Sequence, residues 1–286
     1  MLILVCLAED RIARKYQLLL KSIVPARIFC LAPFILRLLR GSGLPPGKEN
    51  IMKFTKSEKY DKEFLKENMM GPNCLKLLEA LTEDTELIKS SRVLDLGCGT
   101  GITSIFLAKE FGVTVFATDL WISATDNYRR IKAHGLEDSV IPIHAEAHEL
   151  PYAEEYFDAV ISVDSYHYFG RDDEYMDKYL APLVKKGGLI AVVIPGTIEA
   201  YDEVPSELKA FLAPDEFETL RPLDWWKNIL LKSRLMRLDS INEFTCDEAW
   251  QDWLLCDNEY AVQDRAMFEA GGGKNLNFIS FTGRRI

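Results

Sequence analysis

Asp95, Gly97, Gly99 and Gly101 alternate along the stretch LDLGCGTG, directly after an apolar run. Glycine weakens regular structure, so three in such close order imply a ligand that must approach the backbone closely. Asp119 closes the next apolar run, VTVFATD, eighteen residues after Gly101. An acid at the end of a second strand is placed to hold sugar hydroxyls. The spacing G-x-G-x-x-G is absent, because Ile102 and Ser104 occupy the nearest third-glycine positions. Asp95 ahead of the loop would repel a pyrophosphate and favours a ligand carrying a positive group.

Other side chains could do chemistry. The segment SVDSYHYFG offers Asp164, Tyr166, His167 and Tyr168 just past an apolar strand. His167 is a candidate base, with a structural histidine as the alternative. HAEAHE would put His144, Glu146 and His148 on one strand face. It is not the helical H-E-x-x-H zinc motif, so we expect no metal there. Tyr60, Trp225, Trp226, Trp250 and Trp253 could cage a cationic or aromatic ligand, or simply pack.

These residues need elements to position them. Short apolar runs at RVLDLG, VTVFATDL, SVIPIHAE, FDAVISVDS and GLIAVVIP alternate with helical stretches such as GITSIFLAKEF and DEYMDKYLAPLV. Such alternation predicts a doubly wound, parallel α/β sheet with helices on both faces. RLMRLDSINEF and LNFISFTGRR add strands, for about seven in all. Residues 196–233, with Pro205, Pro214, Pro222 and DWW, interrupt the rhythm and are expected to form a substrate-lid insertion.

The bulk numbers narrow the function. The chain has 286 residues, 48% hydrophobic, 27% charged and a net charge of −10, an ordinary globular profile. Acidity of this degree argues against sequence-independent nucleic-acid binding. The six cysteines form no C-x-x-C pair, which suits buried thiols and a cytoplasmic location. Residues 1–51 hold eight Lys and Arg against three Asp and Glu. Their longest uncharged run, Ile28 to Leu36, is too short for a membrane span, which needs about 20 residues. The Gly/Pro linker GSGLPPGKEN leads to Met52, where we expect the ordered domain (52–286) to begin; 1–51 is a basic leader, a membrane-surface anchor or not natively part of the fold.

The motifs taken together resemble the class I S-adenosylmethionine-dependent methyltransferases. VLDLGCGTG is similar to that family's first motif, and ATD, AEAHELPY, YFDAVIS and LVKKGGLIAVV follow in the family's order over roughly residues 70–195. The resemblance implies a Rossmann-like sheet whose last strand is antiparallel, S-adenosylmethionine as cofactor, and methyl transfer to a small-molecule acceptor. It implies a cofactor site of Asp95, Gly97, Cys98, Gly99, Gly101, Asp119, Leu120, Glu146, Ala147 and Asp164. Asp95 would face the ammonium, Asp119 the ribose diol, and Leu120 or Trp121 the adenine. Glu146 and Ala145 depart from the family's usual Asp and Gly. His167 and Tyr166 are the catalytic candidates, and Tyr60, Tyr168 and Trp225 the substrate contacts. His167 stands where the related cyclopropane synthases have Glu, and no cysteine follows the fourth strand as arsenite methylation would need. The methylated atom (N, O, S or C) and the oligomeric state stay open. The alternatives are a non-catalytic cofactor-binding sensor or scaffold, and a nicotinamide-dependent oxidoreductase.

Overall fold

In the computed structural model, which describes residues 53–286 apart from 84 and 86, the apolar runs form seven strands. They are β1 (Arg92–Leu96), β2 (Thr114–Asp119), β3 (Val140–His144), β4 (Phe157–Val163), β5 (Val184–Thr197), β6 (Met236–Phe244) and β7 (Leu276–Arg285). The sheet order is β3-β2-β1-β4-β5-β7-β6. β1 to β5 are parallel, and β7 runs antiparallel to both β5 and β6. The doubly wound sheet with an antiparallel last strand is therefore the observed fold. The leader and its junction at Met52 lie outside the described residues.

Helices α1 (Lys62–Asn68) and α2 (Cys74–Leu81) precede the sheet, and α3 (Ile102–Phe111) and α4 (Ala124–Ala133) link its first strands. Each start has a local cause. Asp61 caps α1 through Phe64 N–H, Asn73 caps α2 through Leu75 and Lys76 N–H, and Ser123 caps α4 through Asp126 N–H. α3 is buried along Ile102–Ala108, since the sheet lies on one side and α2 packs on another. An all-round apolar helix is stable only when so enclosed.

After β4 comes the four-residue helix α5 (Tyr166–Phe169). The helix expected over DEYMDKYLAPLV is instead a π turn, Met176–Leu180, followed by a 3₁₀ turn, Ala181–Leu183. Pro182 has no N–H to continue an α ladder. The 196–233 segment contains α6 (Pro214–Phe217) and α7 (Leu223–Leu230). α8 (Asp247–Leu254) and α9 (Glu259–Glu269) separate β6 from β7. Tyr166, Tyr175, Trp226, Phe157 and Phe281 are all fully enclosed and form the centre of the main core against β4, β5 and β7.

Candidate active site

In a doubly wound sheet the loops diverge where the strand order reverses, here between β1 and β4. A cavity of about 320 Å³ opens there, beyond the carboxyl ends of β1, β2 and β4. Its floor is the glycine loop. Gly97, Gly99 and Gly101 all have positive φ, at 73°, 52° and 81°. At Gly97 a Cβ would also lie 2.3 Å from Ser165 Oγ, so only glycine fits there. Ser165 Oγ donates to the Leu96 carbonyl at 2.9 Å and pairs with Ser162 Oγ at 2.8 Å, tying the ends of β1 and β4 together.

Asp95 is fully buried directly beneath this loop. Its Oδ2 accepts from Thr103 Oγ1 and Ser104 Oγ, each at 2.6 Å. Its Oδ1 is buried without a partner among the described residues. Burial pushes the Asp95 carboxyl up to about 6, against the pull of the two hydroxyls. A buried acceptor left unpaired costs free energy unless a ligand completes it.

Asp119 holds the loop itself. Its Oδ2 accepts from Gly99 N–H at 2.8 Å, and its Oδ1 from Trp121 and Ile122 N–H at 2.7 and 2.9 Å. A carboxylate has about four lone-pair directions, so three acceptances leave room for one ligand hydroxyl. Leu120 and Trp121 continue into the cavity lip, both largely exposed. Leu120 is steadied by His144, whose Nε2 lies 2.7 Å from its carbonyl oxygen.

Glu146 lines the cavity but is engaged by its neighbour. Its Oε1 is 2.7 Å from His148 Nδ1, and its Oε2 accepts from His148 N–H at 2.7 Å. The expected use of this side chain toward adenine therefore competes with His148, whereas Ala147 presents its backbone to the cavity. His144 does not join Glu146 and His148, because β3 ends at His144, whose Nε2 is taken by the Leu120 carbonyl.

Asp164 sits at the end of β4 with φ 54°, facing the cavity. Its carboxylate has no hydrogen-bond partner among the described residues, and burial, with Asp264 nearby, pushes it up to about 8. Cys74 lines the same wall, its thiol raised above the usual range by burial and by Asp164.

The other expected site residues are placed differently. His167 is 3% exposed, does not line the cavity, and stacks beneath Tyr168 with ring centroids 4.1 Å apart. Burial holds it down to about 3, so it is neutral and too weak a base at neutral pH. Tyr166 points into the core against Trp226 and Phe281. Successive residues of α5 rotate by about 100°, which sends 166 and 167 inward and Tyr168 to the cavity. Tyr60 packs on Phe106 and reaches Glu110, away from the cavity. Trp225 lies edge-on to Trp226 under the Arg221 guanidinium. Gly101 caps α3 below the lining surface, and Cys98, Gly97 and Gly99 reach it.

No described residue of the 196–233 insertion lines the cavity itself, although Glu216 acts on the lining residue Tyr168 from outside. Leu208 is instead buried against Met267 and Leu276. The cover comes from the turn between α1 and α2. Thr100 Oγ1 donates to the Asn68 carbonyl at 2.6 Å, Met70 lies over Gly99, and Gly71 lies against Asp164. NMMGPNC carries the turn chemistry, Gly-Pro-Asn, that could have marked this segment as a loop over the site.

Comparison with known proteins places this geometry. A family profile described as "Methyltransferase domain" matches residues 93–188. The chain is 28% identical over 176 residues to Methyltransferase GfsG of Streptomyces halstedii, covering 59% of this chain and 62% of that protein. It is 31% identical over 165 residues to a probable protein arginine N-methyltransferase 6 of Arabidopsis thaliana, covering 53% of this chain but 32% of that one. The match thus spans under two thirds of either relative's length. The crystal structure of a putative sarcosine dimethylglycine methyltransferase from Galdieria sulphuraria superposes with a TM-score of 0.58 at 18% identity, covering 73% of this chain and 83% of that one.

Proposed function

Because the chain belongs to the class I S-adenosylmethionine-dependent methyltransferases, we propose that it binds this cofactor over the glycine loop and methylates a small-molecule acceptor. One observation carries the reading: the cavity at the β1–β4 reversal is floored by positive-φ glycines, with the unpartnered Asp95 Oδ1 buried beneath. These residues fit the cofactor. Asp95 would complete its buried acceptor with the ammonium group, directly or through water, and Asp119 has a lone pair left for the ribose diol. Leu120 and Trp121 would flank the adenine, with Ala147 N–H beside it. Bound there, the cofactor supplies an electrophilic methyl carried on a sulfonium.

The chain's own work is alignment and exclusion of water. Holding a nucleophile about 3–3.5 Å from the carbon that accepts it recovers much of the barrier as prepaid entropy. The α1–α2 turn and the Trp121–Tyr168 pair would wall off solvent around that line. The Arabidopsis protein's name places nitrogen at its acceptor, a protein arginine. The half-closed cavity, about 320 Å³ in all, supports a small molecule as the acceptor.

Titration calorimetry with S-adenosylmethionine and S-adenosylhomocysteine tests the first half. Micromolar binding of either is the expected result, and no heat at millimolar ligand rules it out. Mass-spectrometric scoring of methylated products from metabolite and arginine-peptide panels tests the second. Product from peptides alone would replace the small-molecule acceptor by a protein one.

A further inference from the structure

Three carboxylates line the cavity among the described residues: Asp119, Glu146 and Asp164. No lysine or arginine does. The first two are engaged, Asp119 by three backbone N–H groups and Glu146 by His148. Asp164 is unengaged among the described residues. The fold makes room for it at some cost. Its φ of 54° is a conformation that side-chain-bearing residues adopt rarely, and its Oδ2 lies 2.2 Å from where a Cβ of Gly71 would be. Beside it stand Tyr168 and Trp121, ring centroids 5.2 Å apart and both largely exposed at the lip.

We propose that Asp164 is the acceptor-binding carboxylate, that it receives a protonated amine lacking any anionic group, and that it takes the proton which frees the nitrogen lone pair. This rests on the methyl-transfer reading above and adds the acceptor's chemistry to it. A carboxylate without a partner among the described residues, at a lip formed by two aromatic rings packed edge to face, suits an ammonium ion through charge-assisted hydrogen bonding, with cation–π attraction from whichever ring face stays open. An acceptor with a carboxylate or phosphate would bring that anion against Asp164 with no lysine or arginine in the described lining to answer it, which is repulsive in a half-closed cavity.

The proton balance is simple. The ammonium gives one proton to an Asp164 oxygen, leaving a neutral amine and a neutral carboxylic acid. The nitrogen lone pair forms the new N–C bond as the S–C bond breaks, and that bond's electron pair stays on sulfur. The N-methylated ammonium leaves, and Asp164 returns its proton to water. An ordinary carboxylate would be a poor base for an amine titrating at roughly 8–10, and raising Asp164 narrows the gap. Asp264 from α9 acts on Asp164 directly; around its neighbours Cys74 of α2 and Tyr168 of α5 stand Asp95 of β1 and Glu216 of α6, while Arg171 acts on His167 beneath Tyr168.

Calorimetry on the full chain saturated with S-adenosylhomocysteine tests this, with phenethylamine, n-butylamine, 2-phenylethanol and phenylalanine at pH 6, 7 and 8. The amines are expected to bind, and to tighten by roughly fifty-fold from pH 6 to 8, as when only the ionised form of a group titrating near 8 binds. The alcohol and the amino acid should bind at least tenfold more weakly. Asp164→Asn, which keeps shape and tolerates positive φ, should weaken the amines by more than tenfold and flatten their pH dependence. Asp164→Glu should restore part of both, with melting temperatures confirming the fold. Amine binding unchanged in Asp164→Asn, phenylalanine binding as well as phenethylamine, or no amine binding beside bound S-adenosylhomocysteine each overturns the proposal. If S-adenosylhomocysteine itself fails to bind, the cofactor reading falls first and takes the proposal with it.

Discussion

At the scale of single residues, two acids divide the work of the glycine loop. Asp119 holds the loop by three backbone N–H bonds, and Asp95 keeps one oxygen open beneath it. Asp119→Ala is expected to lower S-adenosylhomocysteine affinity by about ten- to a hundred-fold, the loss of charge-assisted bonds worth roughly 1.5–3 kcal/mol. Unchanged affinity in a normally melting variant would remove Asp119 from the ligand site. His167 invites the opposite expectation. Buried, neutral and unpaired at Nδ1 among the described residues, it acts through packing under Tyr168. His167→Gln should cost about 1–3 kcal/mol of stability while leaving the pH profile of turnover in place. Loss of the low-pH limb of that profile would return His167 to the chemistry.

At the scale of elements, the cover matters most, and it was the part least legible in the sequence. The glycine loop and Asp119 could be read directly, because a positive φ and a strand-end acid constrain residue type at fixed spacing. The strand order could be read from alternation and the handedness of crossovers. Orientation within SYHYFG could not, since a loop assignment carries no rotation and α5 supplies one. Nor could the cover, since contact between NMMGPNC and the β1 loop depends on how α1 and α2 dock. The 196–233 insertion looked like a lid because prolines and tryptophans mark irregular segments, yet Leu208 and Trp226 spend their apolar surface on the core. Gly71→Ala checks the cover. Its Cβ would meet Asp164 Oδ2 at 2.2 Å, so either the turn or the carboxylate must shift. Amine affinity is expected to fall at least tenfold, read by the same calorimetry. Full retention would mean that the turn moves freely and does not set Asp164.

At the scale of the whole molecule, buried ionisable groups make stability depend on pH in a direction that can be worked out. Asp164 is raised from 3.8 to about 8 and Asp95 from 3.8 to about 6, so the folded chain binds more protons than the unfolded chain between those limits. Their contributions are full below about pH 4 and disappear as pH rises through each folded value. His167 runs the other way: held at about 3, its contribution is present above 6.5 and lost as pH falls. Above pH 7 the histidine's contribution is full and constant and that of Asp95 is nearly gone, so Asp164 dominates the slope. Between pH 7 and 8.5 the ligand-free protein should lose about 1 kcal/mol to this one group, or roughly 2–4 °C in melting temperature. Buried thiols such as Cys74 and Cys98 pull the same way above pH 8, so the decisive quantity is wild type minus Asp164→Asn. That difference should shrink steadily across the window, with the variant's own curve the flatter of the two. Parallel curves would mean that Asp164 is already ionised in the folded protein at pH 7, held so by solvent or by a cation within the chain. A saturating amine should then remove this group's share of the slope in wild type alone, because the amine-bound protein holds the carboxylate ionised, as the unfolded chain does, and no proton is released on unfolding.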